Sequence, residues 1–487
     1  MTELVVLPKL TPRPDQESAI MEIRWAKRHL CRAEVGAGKT LIGVEAVIRS
    51  DVRVTLIVAP LNTRSGWEKT FARQGSAQSF HFIDARKAGK QAFEDLAGGV
   101  PGVYFMSWQR FRMYSWAGMP IEFIIYDEVH EGQNRKSSTH RAMKSATHIE
   151  YQLGLSATLA GNRVEGQWAI QHSFWPEKAI TPAFWTWVTK HLKTELDEYA
   201  GKKILGERNP GTVWEILPSK SAFASPYQEE PIIFNIEVDL MPAQRKLYDK
   251  FEKEAVVWLE RHPLVTELPA VQQMRLRQIC LAVPSIRFDW KRVGRNEEVK
   301  PEWEVEIRDD GSMYRWAEEI YFEDDAKSTK SDAVVEQVRH LYENGGTEPI
   351  IMFTHSRKFA TMLTLQLQEK GYRARQFVGG MSEEERNWKR EMFGIEFDIL
   401  VATQAAVGIG TDGIQDVCRI EFWISLSDNR VHNKQAVGRV NRPGQKRTVL
   451  RYNFLARDTV EVKRLLQMEA DQEMLDASYN YELETAA

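Results

Sequence analysis

Cysteine is nearly absent: three in 487 residues, Cys31, Cys280 and Cys418, far apart and in no metal-ligand spacing. This excludes a disulfide framework and a zinc site as organising devices, and leaves buried, reduced thiols as the expectation. No apolar run approaches the ~20 residues that a membrane-spanning helix needs. The first residues, MTELVVLPKL, have no basic stretch followed by an apolar core, so no secretory signal is expected. An excess of one charge is missing too. With 65 basic and 68 acidic residues the net charge is −3, which removes the argument from global basicity for a nucleic-acid partner. It does not exclude one, because a cleft that grips a strand needs only a local positive lining. There is no internal repeat and no low-complexity tract.

The chain is otherwise of ordinary globular composition, 43% hydrophobic and 27% charged. Its length exceeds what one hydrophobic core supports and suggests about two to four domains. Short β-branched runs alternate with helical patterns, the signature of parallel sheets with crossover helices. Strands are predicted at Val54–Val58, Val103–Met106, Phe123–Tyr126 and Tyr151–Leu155, with a weak one around His29–Arg32. The pattern resumes at Ile350–Phe353, Ile399–Ala402, Ile420–Ile424 and Val449–Phe454. The expected organisation is α/β, with one lobe at 1–170 and a second at 330–470, and a tail at 471–487. Between them, 171–235 is a connecting segment rich in Trp and Pro without a clean strand pattern. Residues 236–329 are expected to form a helical protrusion, with helices at Pro242–Leu259 and Ala270–Leu281. Within its charged stretch 289–326, the alternation Trp303, Val305, Ile307 before Asp309-Asp310-Gly311 and Met313–Trp316 predicts a hairpin. Its many acids favour a structural protrusion over a strand-separating pin.

Three stretches carry chemistry. Ala33-Glu34-Val35-Gly36-Ala37-Gly38-Lys39-Thr40 reads as a phosphate loop opening a helix. Gly36 and Gly38, with Ala37 between them, let backbone N–H groups close on phosphate oxygens, Lys39 reaches the β- and γ-phosphates, and Thr40 offers a hydroxyl to Mg²⁺. Asp127 and Glu128 follow an apolar strand, at the carboxyl end where α/β sheets bind ligands. Asp127 is a candidate Mg²⁺ holder and Glu128 a candidate for orienting and deprotonating an attacking water. His130, beside them, is a candidate link between hydrolysis and movement. Far away, Gln435, Arg439 and Arg442 recur at i, i+4 and i+7, which places them on one helical face before Pro443-Gly444 ends the helix. Two such arginines can serve as fingers that stabilise charge on the γ-phosphate when two lobes close, the physical basis of a motor.

In order, these motifs resemble those of superfamily 2 helicases, and most of all the Swi/Snf-type subgroup. Pro14-Asp15-Gln16 resembles the adenine-reading motif, with Gln16 the matching residue. LIVAPLNTRSGWEKTF (Leu56 to Phe71) is similar to motif Ia with its trailing Trp, and Ser156-Ala157-Thr158 to the coupling motif III. LAGNRVEGQW follows as in the subgroup. Gln244, Tyr248 and MRLRQIC (Met274 to Cys280) resemble its lead-in to the second lobe. Ile350 to Ser356 matches motif IV. Gly408 to Asp412 resembles motif V, so Gly410 and Asp412 join the expected nucleotide site, and QAVGRVNRPGQKR from Gln435 resembles motif VI.

The resemblance covers about residues 10–460. It implies two RecA-like lobes of the P-loop NTPase kind, with ATP and Mg²⁺ as cofactors and a DNA-dependent ATPase that moves along DNA. A single strand of a duplex or fork would be gripped through its backbone, without sequence readout. Thr63, Ser107, Thr354 and Thr403 match strand-contacting positions, yet each is equally compatible with an ordinary loop or cap residue. Asp15 stands where an aromatic or His is common, and Asp412 where the subgroup usually has Asn. No histone-reading, nuclease or zinc domain is recognisable, which suggests a small bacterial or phage-type enzyme acting in the cytoplasm, away from membranes, with replication or recombination proteins as possible partners. An RNA helicase, a motor subunit of a nuclease complex and a non-catalytic scaffold are the alternative readings.

Overall fold

A computed structural model describes residues 8–466 apart from 35, 158, 160–163, 198–200, 210, 225–228, 255, 260–261, 266–268, 294–304, 309–311, 408–412, 428–429, 443 and 464. The chain divides into two compact units, residues 1–228 with 429–438, and residues 229–428 with 439–468.

The first unit is built on β1 (Arg28–Ala33), β2 (Val54–Ala59), β3 (Phe80–Phe82), β4 (Gly102–Ser107), β5 (Phe123–Asp127) and β6 (Tyr151–Ser156). A two-stranded antiparallel hairpin, β7 (Leu192–Asp197) and β8 (Gly201–Glu207), stands apart from the main sheet. The chain then returns to the sheet with β9 (Lys220–Phe223), giving the order β3-β4-β2-β5-β6-β1-β9. Every pairing in it is parallel. Such a sheet needs both faces covered, and β5 shows how the sequence meets that need. Ile124 and Tyr126 enter one core with Leu56, Tyr104, Phe111 and Phe174, while Phe123 and Ile125 enter the other with Val44, Ile57, Trp67 and Phe71. The second core is roofed by α1 (Pro14–Ala26), α2 (Lys39–Arg49) and α3 (Arg64–Arg73).

The second unit has β10 (Ile232–Val238), then β11 (Val256–Leu259) paired with β12 (His262–Val265), and the three-stranded β13 (Ser285–Arg292), β14 (Val305–Ile307) and β15 (Met313–Tyr321). Its main sheet takes β10 with β16 (Ile350–Thr354), β17 (Ala374–Phe377), β18 (Ile399–Thr403), β19 (Ile420–Trp423) and β20 (Leu450–Ala456), in the order β10-β20-β19-β16-β18-β17. These pairings too are parallel. Two parallel sheets, each wrapped by crossover helices, form the RecA-like double-lobe fold.

The boundaries depart from the sequence reading where local pattern is weak. The segment 171–235 is not a plain connector: it supplies β7, β8, an added edge strand β9 for the first sheet and the start of β10 for the second. The helix expected to run to Leu259 ends at Glu254, and the β-branched pair Val256-Val257 begins β11. The expected hairpin exists as β14 and β15, with Ile307 opposite Met313. Trp303 and the turn residues Asp309-Asp310-Gly311 lie outside the described residues. All three cysteines are buried and free. No described helix is long and apolar enough to cross a membrane.

The weakly patterned β1 is held on both sides, by β6 and by β9. Between β1 and β9 sits His29, fully buried, its ring nitrogens 2.7 Å from Ser219 Oγ and 2.8 Å from Ser221 Oγ. Burial pushes its pKa down to about 3, and outweighs the Glu22 carboxylate 3.8 Å away. A folded-state pKa below the unfolded one means that unfolding takes up a proton. His29 therefore contributes stability that is full above about pH 6.5 and is lost, at about 1.36 kcal/mol per pH unit, as pH falls towards its folded value. Urea unfolding of His29→Gln is expected to show a shallower acid limb than wild type between about pH 6 and pH 4. Equal slopes would show that His29 protonates freely in the folded protein.

Candidate active site

The loop from β1 to α2 turns through Gly36 (φ 85°) and Gly38 (φ 90°), a left-handed conformation that disfavours any residue with a Cβ. The Ala37 carbonyl accepts 2.8 Å from Gln16 Nε2 and 3.3 Å from Arg13 Nη2. Gln16 Oε1 in turn accepts from the Arg13 backbone N–H at 2.9 Å. The start of α1 thus braces the loop, and a Cβ at Gly38 would stand 2.4 Å from Gln16 Nε2. Gln16, expected to read adenine, is buried and spends its carboxamide on this bracing. Lys39 opens α2, with its Nζ donating to the Ala33 carbonyl at 3.1 Å, and Thr40 follows it, half-buried.

Asp127 ends β5, and Glu128 immediately after it adopts φ 56°, ψ 54°. A non-glycine residue there stores strain of about 1–3 kcal/mol, a feature common at functional sites. Asp127 is held twice: its Oδ2 accepts from Trp67 Nε1 at 3.1 Å, and its carbonyl accepts from Trp108 Nε1 at 2.8 Å. Burial raises its pKa and the Glu128 charge adds to that, against the opposing pull of Lys39. Burial also acts upward on Glu128, but Lys39 and the hydrogen bonds from His130 and Ser156 outweigh it, so Glu128 is held ionised below its ordinary range. The neighbours thus acquire different characters. Glu128 is a charged acceptor, and Asp127 is a buried carboxyl that a cation would keep ionised.

Behind Glu128, Ser156 Oγ at the end of β6 donates to Glu128 Oε2 at 3.1 Å. His130 Nδ1 lies 3.0 Å from Ser156 Oγ and 3.3 Å from Glu128 Oε2. Two of the coupling candidates, His130 and Ser156, therefore meet on the candidate general base Glu128. Thr158, also expected to couple, lies outside the described residues, and Gln435, the fourth such candidate, is on a helix of the later chain.

A family model described as "Type III restriction enzyme, res subunit" matches residues 9–161, and the "Helicase conserved C-terminal domain" model matches 331–444. The first match holds the phosphate loop and the carboxylate pair; the second holds the arginine-bearing helix. With the helicase C-terminal domain match and the res-subunit match over its phosphate loop, the chain is similar to ATP-dependent helicases. An uncharacterized ATP-dependent helicase of Bacillus subtilis, YqhH, is 23% identical over 483 residues, covering 93% of this chain and 77% of that protein. The DNA repair protein RAD5B of Arabidopsis thaliana is 26% identical over 155 residues, 31% of this chain and only 12% of its own. Among solved structures, the Sulfolobus solfataricus SWI2/SNF2 ATPase core in complex with dsDNA aligns over 98% of this chain and 95% of its own at 16% identity, with a TM-score of 0.38. The two domain matches and the ATP-dependent helicase relative support an ATP-hydrolysing enzyme.

The remaining expected residues of the helicase fall into three groups. Gln435 and Arg439 lie half-buried on the helix Arg430–Val440, whose Ala436 and Val440 face the core. Arg442 follows two residues past the end of that helix at Val440, just ahead of Pro443, where the helical region is disfavoured. Gln445 Nε2 then ties the exit to the carbonyls of Gln415, at 3.0 Å, and Cys418, at 2.8 Å. Gly410 and Asp412 lie outside the described residues.

The four strand-contact candidates all have structural surroundings. Thr63 Oγ1 donates to the Pro60 carbonyl at 2.9 Å, and Ser107 Oγ caps a short helix by accepting from Arg110 N–H at 3.3 Å. Thr354 is wholly buried, with its hydroxyl 3.1 Å from Ser425 Oγ, and Thr403 is buried at the end of β18. Three side chains at the nucleotide site escaped the sequence reading: Arg13, Trp67 and Trp108. Trp67 had one visible signal, its place as the trailing Trp of motif Ia; Trp108 had only its position beyond a strand.

Proposed function

We propose that this helicase couples ATP hydrolysis to movement along DNA, gripping one strand of a duplex or fork through its phosphates. The observation that carries the reading is the intact catalytic set of the first lobe, in which Glu128 is ionised and engaged by both Ser156 and His130. A scaffold that had lost turnover would not need a strained, charged glutamate wired to the end of the neighbouring strand.

The donor set suits ATP with a divalent cation. The left-handed glycines leave the loop's N–H groups room to close on phosphate oxygens, and Thr40 with the buried Asp127 are the residues that would hold Mg²⁺. The cation, when bound, supplies charge neutralisation on the β- and γ-phosphates. Lys39, now on the Ala33 carbonyl, would exchange that partner for a phosphate oxygen. Glu128 orients the attacking water and takes its proton. Ser156 and His130 both engage Glu128 Oε2, so a change of charge at Glu128 is felt at the ends of β5 and β6.

DNA is favoured over RNA by the Swi/Snf-like stretches MRLRQIC and RPGQKR, and by the partial match to a DNA repair protein. Steady-state ATPase should be measured without nucleic acid and with single-stranded, duplex and forked DNA and with RNA. Strong stimulation by DNA is expected, and backbone gripping predicts that it falls steeply with salt and ignores sequence. Stimulation by RNA alone would move the reading to RNA remodelling. Failure to hydrolyse ATP on any substrate would overturn it.

A further inference from the structure

The buried Asp127 carboxylate accepts from an indole, and the same indole touches the helix that carries Lys39 and Thr40. Trp67 on α3 is 1% exposed and donates its Nε1–H to Asp127 Oδ2 at 3.1 Å. Its ring lies against Gly43 of α2, where a Cβ would stand 2.8 Å from Trp67 Cη2 and 3.4 Å from Ile125 Cδ1. Glycine at that point is what lets the ring reach the carboxylate. Trp67 thereby joins three pieces: α3, the α2 helix of the phosphate loop, and the end of β5.

We propose that Trp67 is a positioning residue that sets Asp127 for the divalent cation; this rests on the Mg-ATP reading above. A carboxylate accepts about four hydrogen bonds, so one indole donor orients it and leaves capacity for a metal or a metal-bound water. The donor is neutral, so it favours the ionised carboxylate without competing as a second cation would. Trp108 secures the Asp127 backbone carbonyl at 2.8 Å and stacks on Tyr126 at 5.8 Å. The carboxylate and its backbone are therefore fixed independently. Hydrogen-bond partners of metal-holding carboxylates typically control about 10–100-fold in metal affinity.

The test uses ADP as the probe, titrated calorimetrically into the full chain in MgCl₂ and in EDTA. Trp67→Phe keeps a ring against Gly43 and removes the N–H. Wild type is expected to bind ADP more tightly with Mg²⁺, and the variant to lose about tenfold of that gain. Its affinity in EDTA and its melting temperature should stay close to wild type. Trp67→His, which restores a ring N–H, is expected to recover part of the loss and serves if the Phe variant does not fold. Equal Mg²⁺ gains in wild type and Trp67→Phe would overturn the inference, as would a loss of ADP affinity that is the same with and without Mg²⁺, since that marks a purely structural role. A wild-type protein that binds ADP with no Mg²⁺ effect would instead refute the Mg-ATP reading itself.

Discussion

Arg439→Ala is expected to bind ATP within a few-fold of wild type and to hydrolyse it about 10³–10⁵-fold more slowly. The helix Arg430–Val440 buries Ala436 and Val440 and leaves Arg439 half-buried between core and surface. A planar guanidinium with five donors matches the oxygens of a transferring phosphoryl group, where charge develops only as the bond breaks. An interaction of that kind appears in kcat and not in ground-state binding. Arg439→Lys should not restore the rate, because an ammonium cannot reproduce the fork. Arg442 stands beyond the end of the helix, so Arg442→Ala need not share the phenotype. Single-turnover hydrolysis together with equilibrium binding of a fluorescent ATP analogue measures both halves of the claim. Normal hydrolysis by Arg439→Ala would remove it from the catalytic set.

Glu128→Gln is expected to hold ATP and turn it over about 10²–10⁴-fold more slowly, the usual worth of a positioned general base. The substitution keeps the shape and can still accept from Ser156, 3.1 Å away, but it has no charge and cannot take a proton. Since Lys39, His130 and Ser156 all act to keep Glu128 ionised, removing the charge also removes what those neighbours are arranged around. Loss of turnover with retained binding, read in the same pair of assays, is the expected signature. A variant that still hydrolyses ATP under DNA stimulation would shift the role of base to another group. Loss of binding along with turnover would show that the carboxylate is structural.

Some of this was legible from residues alone, because the information is local. The glycines and Lys39 of the phosphate loop are contiguous, and Asp127-Glu128 follows a strand whose apolar run is unmistakable. Their spacing in the chain is set by chemistry on one ligand, so it survives where propensity is ambiguous. The long central strands were equally plain, since burial on both faces makes nearly every residue apolar.

Tertiary structure decided the rest. β9 is a four-residue piece in a Trp- and Pro-rich segment, and its pairing with β1 makes it a strand. Thr354 matched a strand-contacting position, and three-dimensional packing gives its hydroxyl a neighbour in Ser425, 71 residues away. Gln16 was legible only as a candidate adenine reader, and the fold adds a contact from it to the Ala37 carbonyl 21 residues on. Trp67 and Asp127, 60 residues apart, meet because parallel crossover connections return each helix over the neighbouring strand. The sequence by itself therefore determined which groups could do the chemistry, since that depends on residue type and short spacing. Only the folded chain determined which donors orient them, since a hydrogen bond across the sheet depends on strand order.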